Sequence, residues 1–210
     1  MHFYGLKRPG EGSSSAETDY VNVDPVIRGE APRCPACGKF IGLIPWLPPH
    51  RAELELWGAA YGDVVFGTAY KLLVSERFKI LYQEAGLSGL LGFDPVEIVR
   101  VKRCDRRAPR GAHPPYYCVS AVRSRAAIDQ KASRFKWDRA PNCSECREGV
   151  VRSWKRIVIE PNTWSEEDVF EARGLGGYFA SERFKDFCDA HKIANAVLIP
   201  AEEYAHNFYA

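Results

Sequence analysis

Four cysteines in two short pairs, Cys34-Pro35-Ala36-Cys37 and Cys143-Ser144-Glu145-Cys146, are the residues whose spacing most invites chemistry. A CxxC turn sets two sulfurs on one side of a tight loop. Two such turns facing each other complete a tetrahedron with metal–sulfur bonds of about 2.3 Å. Zinc suits four soft ligands and, with every position taken, plays a structural part. Cys34, Cys37, Cys143 and Cys146 are therefore the expected ligands of one zinc ion. Gly38 follows the first pair and can take a positive φ. Arg147 stands there after the second pair, where left-handed backbone costs on the order of 1 kcal/mol, or the turn differs. A redox role would place each CxxC at a helix start after a strand, and the flanks Ala31-Pro32 and Pro141-Asn142 do not suggest that. Unmetallated thiols stay open as an alternative. So do separate sites recruiting His50, Cys104, His113 or Cys118.

Catalytic signatures are otherwise scarce. A catalytic metal needs His or carboxylate ligands and a vacant position, and the chain has no HExxH or HxH. It also lacks a nucleophile elbow, a P-loop and a dinucleotide fingerprint. Cys104, His113 and Cys118 are the residues an enzyme reading would use, and no catalytic residue is assigned.

The elements that position the cysteines are written twice. Ser-Glu-Arg-Phe-Lys occurs at Ser75–Lys79 and Ser181–Lys185, 41 positions after Cys34 and 38 after Cys143. Each copy is preceded by an Asp-Val segment ending in Phe, at Asp63–Phe66 and Asp168–Phe170. Ser75 and Ser181 suit helix N-caps, with Glu76 and Glu182 in the first turn. Phe78, Leu81, Tyr82 and Ala85 share one helix face, as do Phe184, Phe187, Cys188 and His191. Cys188 thus reads as a small core residue. Gly86 suits a helix stop, and strands follow at 96–101 and 196–199. The expected fold is α+β, with two pseudo-repeated halves joined at a zinc site of four cysteines. Each half holds a zinc knuckle, strands and one capped helix. The chain reads as a single unit over 1–210: half-repeat one about 34–103, a linker 104–142, and half-repeat two about 143–210. Residues 8–33 read as a loose arm, Arg103–Pro115 as an exposed loop, and Arg123–Arg139 as a weak helix.

Composition bounds the rest. The 210 residues are 46% hydrophobic and 12% aromatic, too apolar and ring-rich for a disordered chain. No signal sequence or membrane-length apolar run is present, which points to the cytoplasm, where paired cysteines favour metal. Basic and acidic residues number 9 and 12 in 1–99, 16 and 5 in 100–156, and 4 and 10 in 157–210. The basic middle supports an alternative, a zinc-ribbon nucleic-acid-binding protein. It would use Arg103, Arg106, Arg107, Arg110, Arg123 and Arg125 on phosphates, with Tyr116 or Trp137 stacking.

The CPxCG knuckle, the distant second CxxC, the N-terminal His2-Phe3-Tyr4 and the paired Ser-Glu-Arg-Phe-Lys helices together resemble the double-CxxCG motif proteins of myxobacteria. The second knuckle departs from that pattern at Arg147. The resemblance implies an immunity protein. Such a protein is cytoplasmic and neutralises a cognate toxin delivered by type VI or contact-dependent secretion, with a nuclease the first toxin class to consider. An acidic, aromatic last quarter would meet a basic toxin cleft. Trp164, Glu166, Glu167, Asp168, Glu171, Tyr178, Glu202, Glu203 and Tyr204 are its candidate contacts.

Overall fold

The computed structural model describes residues 2–10, 13–42, 44–68 and 71–208. In chain order its elements are β1 (Phe3–Lys7), β2 (Thr18–Asn22), β3 (Ile27–Arg28), β4 (Trp46–Leu47), β5 (His50–Leu56), β6 (Val64–Gly67), β7 (Leu72–Ser75), α1 (Glu76–Glu84), β8 (Leu90–Arg103), β9 (Tyr116–Ala127), β10 (Lys136–Arg139), β11 (Val150–Trp154), β12 (Val169–Arg173), β13 (Tyr178–Ser181), α2 (Glu182–His191), β14 (Val197–Pro200) and β15 (His206–Asn207).

Alternating polarity makes the strands. In β5, His50, Ala52, Leu54 and Leu56 are buried while Arg51, Glu53 and Glu55 are half-buried, the period of two that assigns one face to the core. Among the described residues, ten strands join in the order β14-β1-β13-β12-β9-β7-β6-β2-β5-β8. β8 pairs with β9 as well as with β5, so six strands close into a ring. Each ring strand contributes to the cluster it encloses, including Tyr20, Leu54, Val65, Leu73 and Tyr116, with Val96 and Ile98 partly buried against it. Beyond the ring, β12 runs parallel to the second half of β9, with Phe170 beside Val122. Phe170 and Phe179 face another cluster, with Trp154, Ile157 and Tyr204.

The two helices share one further core. Phe78 and Tyr82 of α1 meet Phe184 and Phe187 of α2, with ring centroids 5.8–6.4 Å apart. Leu72 and Val74 of β7 and Ala180 of β13 lie beneath them. Both helices are capped as the serines require: Ser75 Oγ accepts from the Phe78 N–H, and Ser181 Oγ from the Phe184 N–H. Each helix ends on a left-handed residue, Gly86 (φ 60°) and Lys192 (φ 50°). The next residue's N–H then returns to the last turn, Leu87 to Tyr82 O and Ile193 to Cys188 O.

The Asp-Val segments and helix phrases interlock across the two halves. Ser75 Oγ donates to Asp63 Oδ1 at 2.7 Å and Arg77 to Asp63 Oδ2 at 2.6 Å. Ser181 Oγ and Arg183 bind Asp168 in the same way, at 2.9 and 3.0 Å. Each carboxylate also receives an N–H from the loop behind the other helix: Ala194 to Asp63 at 3.0 Å, and Ser88 to Asp168 at 2.9 Å. Each arginine reaches the other helix's C-terminal carbonyls, Arg77 to His191 O and Arg183 to Ala85 O, where the helix dipole favours positive charge.

Several expectations are corrected. Arg123–Arg139 is not helical: Arg123 and Arg125 alternate with buried Ser124 and Ala126 along β9, which is paired on β12. The expected linker 104–142 therefore contains the strand that both parts of the sheet share. The expected arm 8–33 contains β2, held between β5 and β6 because Thr18 and Tyr20 point into the core. Glu11 and Gly12 of that arm lie outside the described residues. The loop Arg103–Pro115 joins β8 to β9. His191 sits half-buried at the end of α2, while Ala85 is exposed rather than on the buried face of α1.

Candidate metal centre and the groove beside it

The first knuckle is a short hairpin. Arg33 bridges Phe40, the Cys34 N–H donates to Lys39 O at 2.8 Å, and the Gly38 N–H returns to Cys34 O at 2.9 Å. Gly38 takes φ 73°, which closes the turn without steric cost. The second knuckle repeats that closure: the Arg147 N–H donates to Cys143 O at 3.0 Å, with φ 58°. Arg147 therefore adopts the left-handed turn despite its side chain. The neighbourhood holds it there, with Gln130 donating to its carbonyl at 3.0 Å and its guanidinium donating to Ile128 O and Glu160.

Turned toward each other, the knuckles bring all four sulfurs within 4.8 Å of one another. Cys34 Sγ lies 3.9 Å from Cys143 Sγ, and Cys37 Sγ 3.7 Å from Cys146 Sγ. Four ligands at about 2.3 Å around a tetrahedral ion sit about 3.8 Å apart, whereas a disulfide draws its sulfurs to about 2.05 Å. The spacing thus fits a metal and not a crosslink, and all seven cysteines are free thiols. Lys39 Nζ donates to Asn142 Oδ1 at 2.6 Å, a second tie between the knuckles. Backbone N–H groups of Cys146 and Glu145 favour the Cys143 thiolate and pull its pKa down to about 7, while burial pushes Cys146 up to about 12. A cation among the sulfurs removes that conflict by stabilising all four thiolates.

Among the described residues no other group of potential ligands converges in this way. Cys118 is buried within the ring, its thiol pushed up to about 12 by burial, and is a poor nucleophile there. His113 Nδ1 lies 2.9 Å from Pro114 O. His50 is 1% exposed beside Trp46, and among the described residues neither ring nitrogen has a hydrogen-bond partner. Of the arginines considered for phosphate contact, Arg103 donates to Pro109 O, Arg107 to Asp105 and Arg123 to Glu148.

The candidate contacts of the last quarter separate into four groups. Glu166, Glu202 and Glu203 are exposed. Asp168 and Tyr204 are enclosed: Asp168 is 2% exposed in the helix interlock, and Tyr204 stacks on Trp154 beneath Lys7. Trp164 packs edge-on against Phe3 and donates to Glu167 O, while the Glu167 carboxylate accepts from Ser124. Glu171 and Tyr178 line a groove of about 650 Å³, together with Ile41, Ile44, Arg123 and Trp154.

That groove is a feature the sequence does not reveal. One wall includes Ile41, Gly42, Ile44 and Pro45, which follow the first knuckle; another includes Glu148 and Val151, just past the second. Its lining comes from residues more than a hundred positions apart, so no local pattern announces it.

No curated protein matches the chain. A family comparison does. Residues 64–203 match the Immunity protein family (Imm11). The matched region begins immediately after Asp63, carries both interlocked helix phrases and includes the second knuckle. Spanning most of the 210 residues and both capped helices, it places this chain in the Imm11 family of immunity proteins.

Proposed function

We propose that this protein neutralises a cognate toxin by binding it, without catalysis, on a scaffold braced by a structural zinc ion. The observation that carries the reading is the family match over both interlocked helix units. A cytoplasmic immunity protein needs a rigid body that holds an interface in shape before the toxin arrives, because preorganisation cuts the entropic cost of binding. Zinc is the metal of choice for four thiolates with no vacant position. The two halves act as a pseudo-repeat, supported by the paired Asp–Ser–Arg contacts and by their exchange across α1 and α2.

The toxin meets the acidic, aromatic last quarter and the groove, through Glu166, Glu171, Tyr178, Glu202 and Glu203. Trp164, Glu167, Asp168 and Tyr204 support that surface from within. A nuclease delivered by type VI or contact-dependent secretion fits a negatively charged partner, since its substrate cleft must be positive. Co-expression with the product of the adjacent gene tests the reading. Rescue of growth, a stoichiometric complex and one zinc per chain are expected. A toxin that still kills, with nucleic acid retained on the purified protein instead, would overturn it.

A further inference from the structure

We infer that the groove between the knuckles and the sheet is the socket for a basic side chain of the toxin, with the Glu171 carboxylate as its counter-ion. This rests on the proposed immunity role and names the partner chemistry of one site within it.

Four observations converge there. Glu171 lies on β12, half-buried, and lines the groove. Among the described residues it accepts no hydrogen bond and forms no ion pair. Arg123, the cation that favours its charge most, is already committed to Glu148 at 3.1 Å, and Lys71 on the same lining contributes less. Burial, with the like charge of Glu148, raises the Glu171 pKa and outweighs the attraction of Arg123 and Lys71, so its charged form is short of compensation. A carboxylate in that condition gains most from a partner that arrives with its own positive charge.

The surroundings fit the stem of such a side chain. Tyr178, Trp154 and Phe208 supply rings, and Ile44 supplies aliphatic surface. A guanidinium or ammonium can lie on rings while its methylenes pack on apolar groups. Phe208 and Ile44 are 58% and 49% exposed. Apolar groups left open beside a half-buried carboxylate mark a surface made for a partner. The groove is also open at Gly176-Gly177, where a Cβ on either residue would meet nothing within 4 Å.

Part of the lining follows directly from the knuckles: Ile41, Gly42, Ile44 and Pro45 come after the first, and Glu148 and Val151 after the second. A metal ion held between the knuckles would therefore help to set the width of the socket.

The test measures affinity for the product of the adjacent gene, using the full-length protein loaded with zinc. Glu171→Gln removes the charge and keeps the shape. Gly176→Trp fills the mouth from an exposed position with ordinary φ, so folding should survive it. Gly111→Trp, in the loop between β8 and β9 and also in open space, is the control. Glu171→Gln should weaken binding at least ten-fold, and Gly176→Trp a hundred-fold. Thermal midpoints should stay near wild type, and Gly111→Trp should bind as wild type. Wild-type affinity in Glu171→Gln or Gly176→Trp overturns the socket while leaving the immunity reading intact. A wild-type protein that binds no toxin removes both.

Discussion

At the scale of single residues, the repeated phrase is explained by what each side chain touches. The serine caps its helix and donates to an aspartate; the arginine binds that aspartate and crosses to the other helix; the phenylalanine fills the shared core. Asp168 is the most committed member, nearly buried and accepting from Ser88, Ser181 and Arg183. Asp168→Ala takes the acceptor from buried Ser181, while Ser88 and Arg183 are exposed enough to be hydrated, and a buried unmet group costs about 1–3 kcal/mol. Urea unfolding should therefore show a loss of roughly 2 kcal/mol. A loss below about 1 kcal/mol, the worth of one ordinary hydrogen bond, would mean the interlock does not hold the halves together. Lys192 makes the opposite case, because a side chain there sits at φ 50° where the equivalent position is Gly86. Lys192→Gly should raise stability by about 0.5–1 kcal/mol, readable as a shift in the same urea curve.

Within the elements, close approaches set the limits. Gly89, at φ 101°, follows α1 and passes β12 so tightly that a Cβ would lie 1.9 Å from Val169 O. The matching position behind α2 is Asn195, also left-handed at φ 65°, whose amide donates to Thr18 O and Val64 O. Glycine and asparagine are the residues that enter this region most readily, so the two loops solve one backbone problem with different side chains. Gly89→Ala should cost more than about 2 kcal/mol, since both φ and the neighbouring carbonyl forbid it. Circular dichroism melts would show this as a lowered midpoint with helix content kept at low temperature. His50 on β5 carries a pH prediction. Burial lowers its pKa, against the pull of Asp94 3.7 Å away, so the folded state holds it neutral. The unfolded chain then binds the extra proton, and stability falls as pH drops below about 6.5. His50→Gln should flatten the stability profile between about pH 7 and 5. An unchanged profile would place the acid sensitivity elsewhere.

For the molecule as a whole, a metal held by the four cysteines would join what the interlock leaves loose. The helices and sheet are tied by their own core and by the two aspartates, but the segments at 29–42 and 141–151 converge on the knuckles. Chelation should therefore leave the helix signal largely in place and weaken toxin binding at least ten-fold, because the groove loses its fixed width. Readdition of zinc should restore it. Acid should mimic chelation, since protons compete for the thiolates. Collapse of the whole fold on chelation would instead make the metal the keystone of the core.

Much of this is legible in the chain itself. Two CxxC pairs predict a four-thiolate centre because each CxxC turn sets two sulfurs on one side of a tight loop, and the sulfurs do converge. Two copies of Ser-Glu-Arg-Phe-Lys predict two capped helices because capping and helix faces are local properties, and both helices begin where the serines require. What only the tertiary structure decided is everything carried by pairing between distant strands. β2 reads as part of a loose arm because a five-residue strand has little periodicity to display. β9 reads as a linker and a weak helix because its alternation acquires meaning only once β7, β8 and β12 lie beside it. Asp168 and Glu171, three residues apart in an acidic stretch, read alike in sequence. Asp168, just before β12, closes the helix interlock, and Glu171, within β12, lines the groove, because only the assembled sheet gives each position its neighbours.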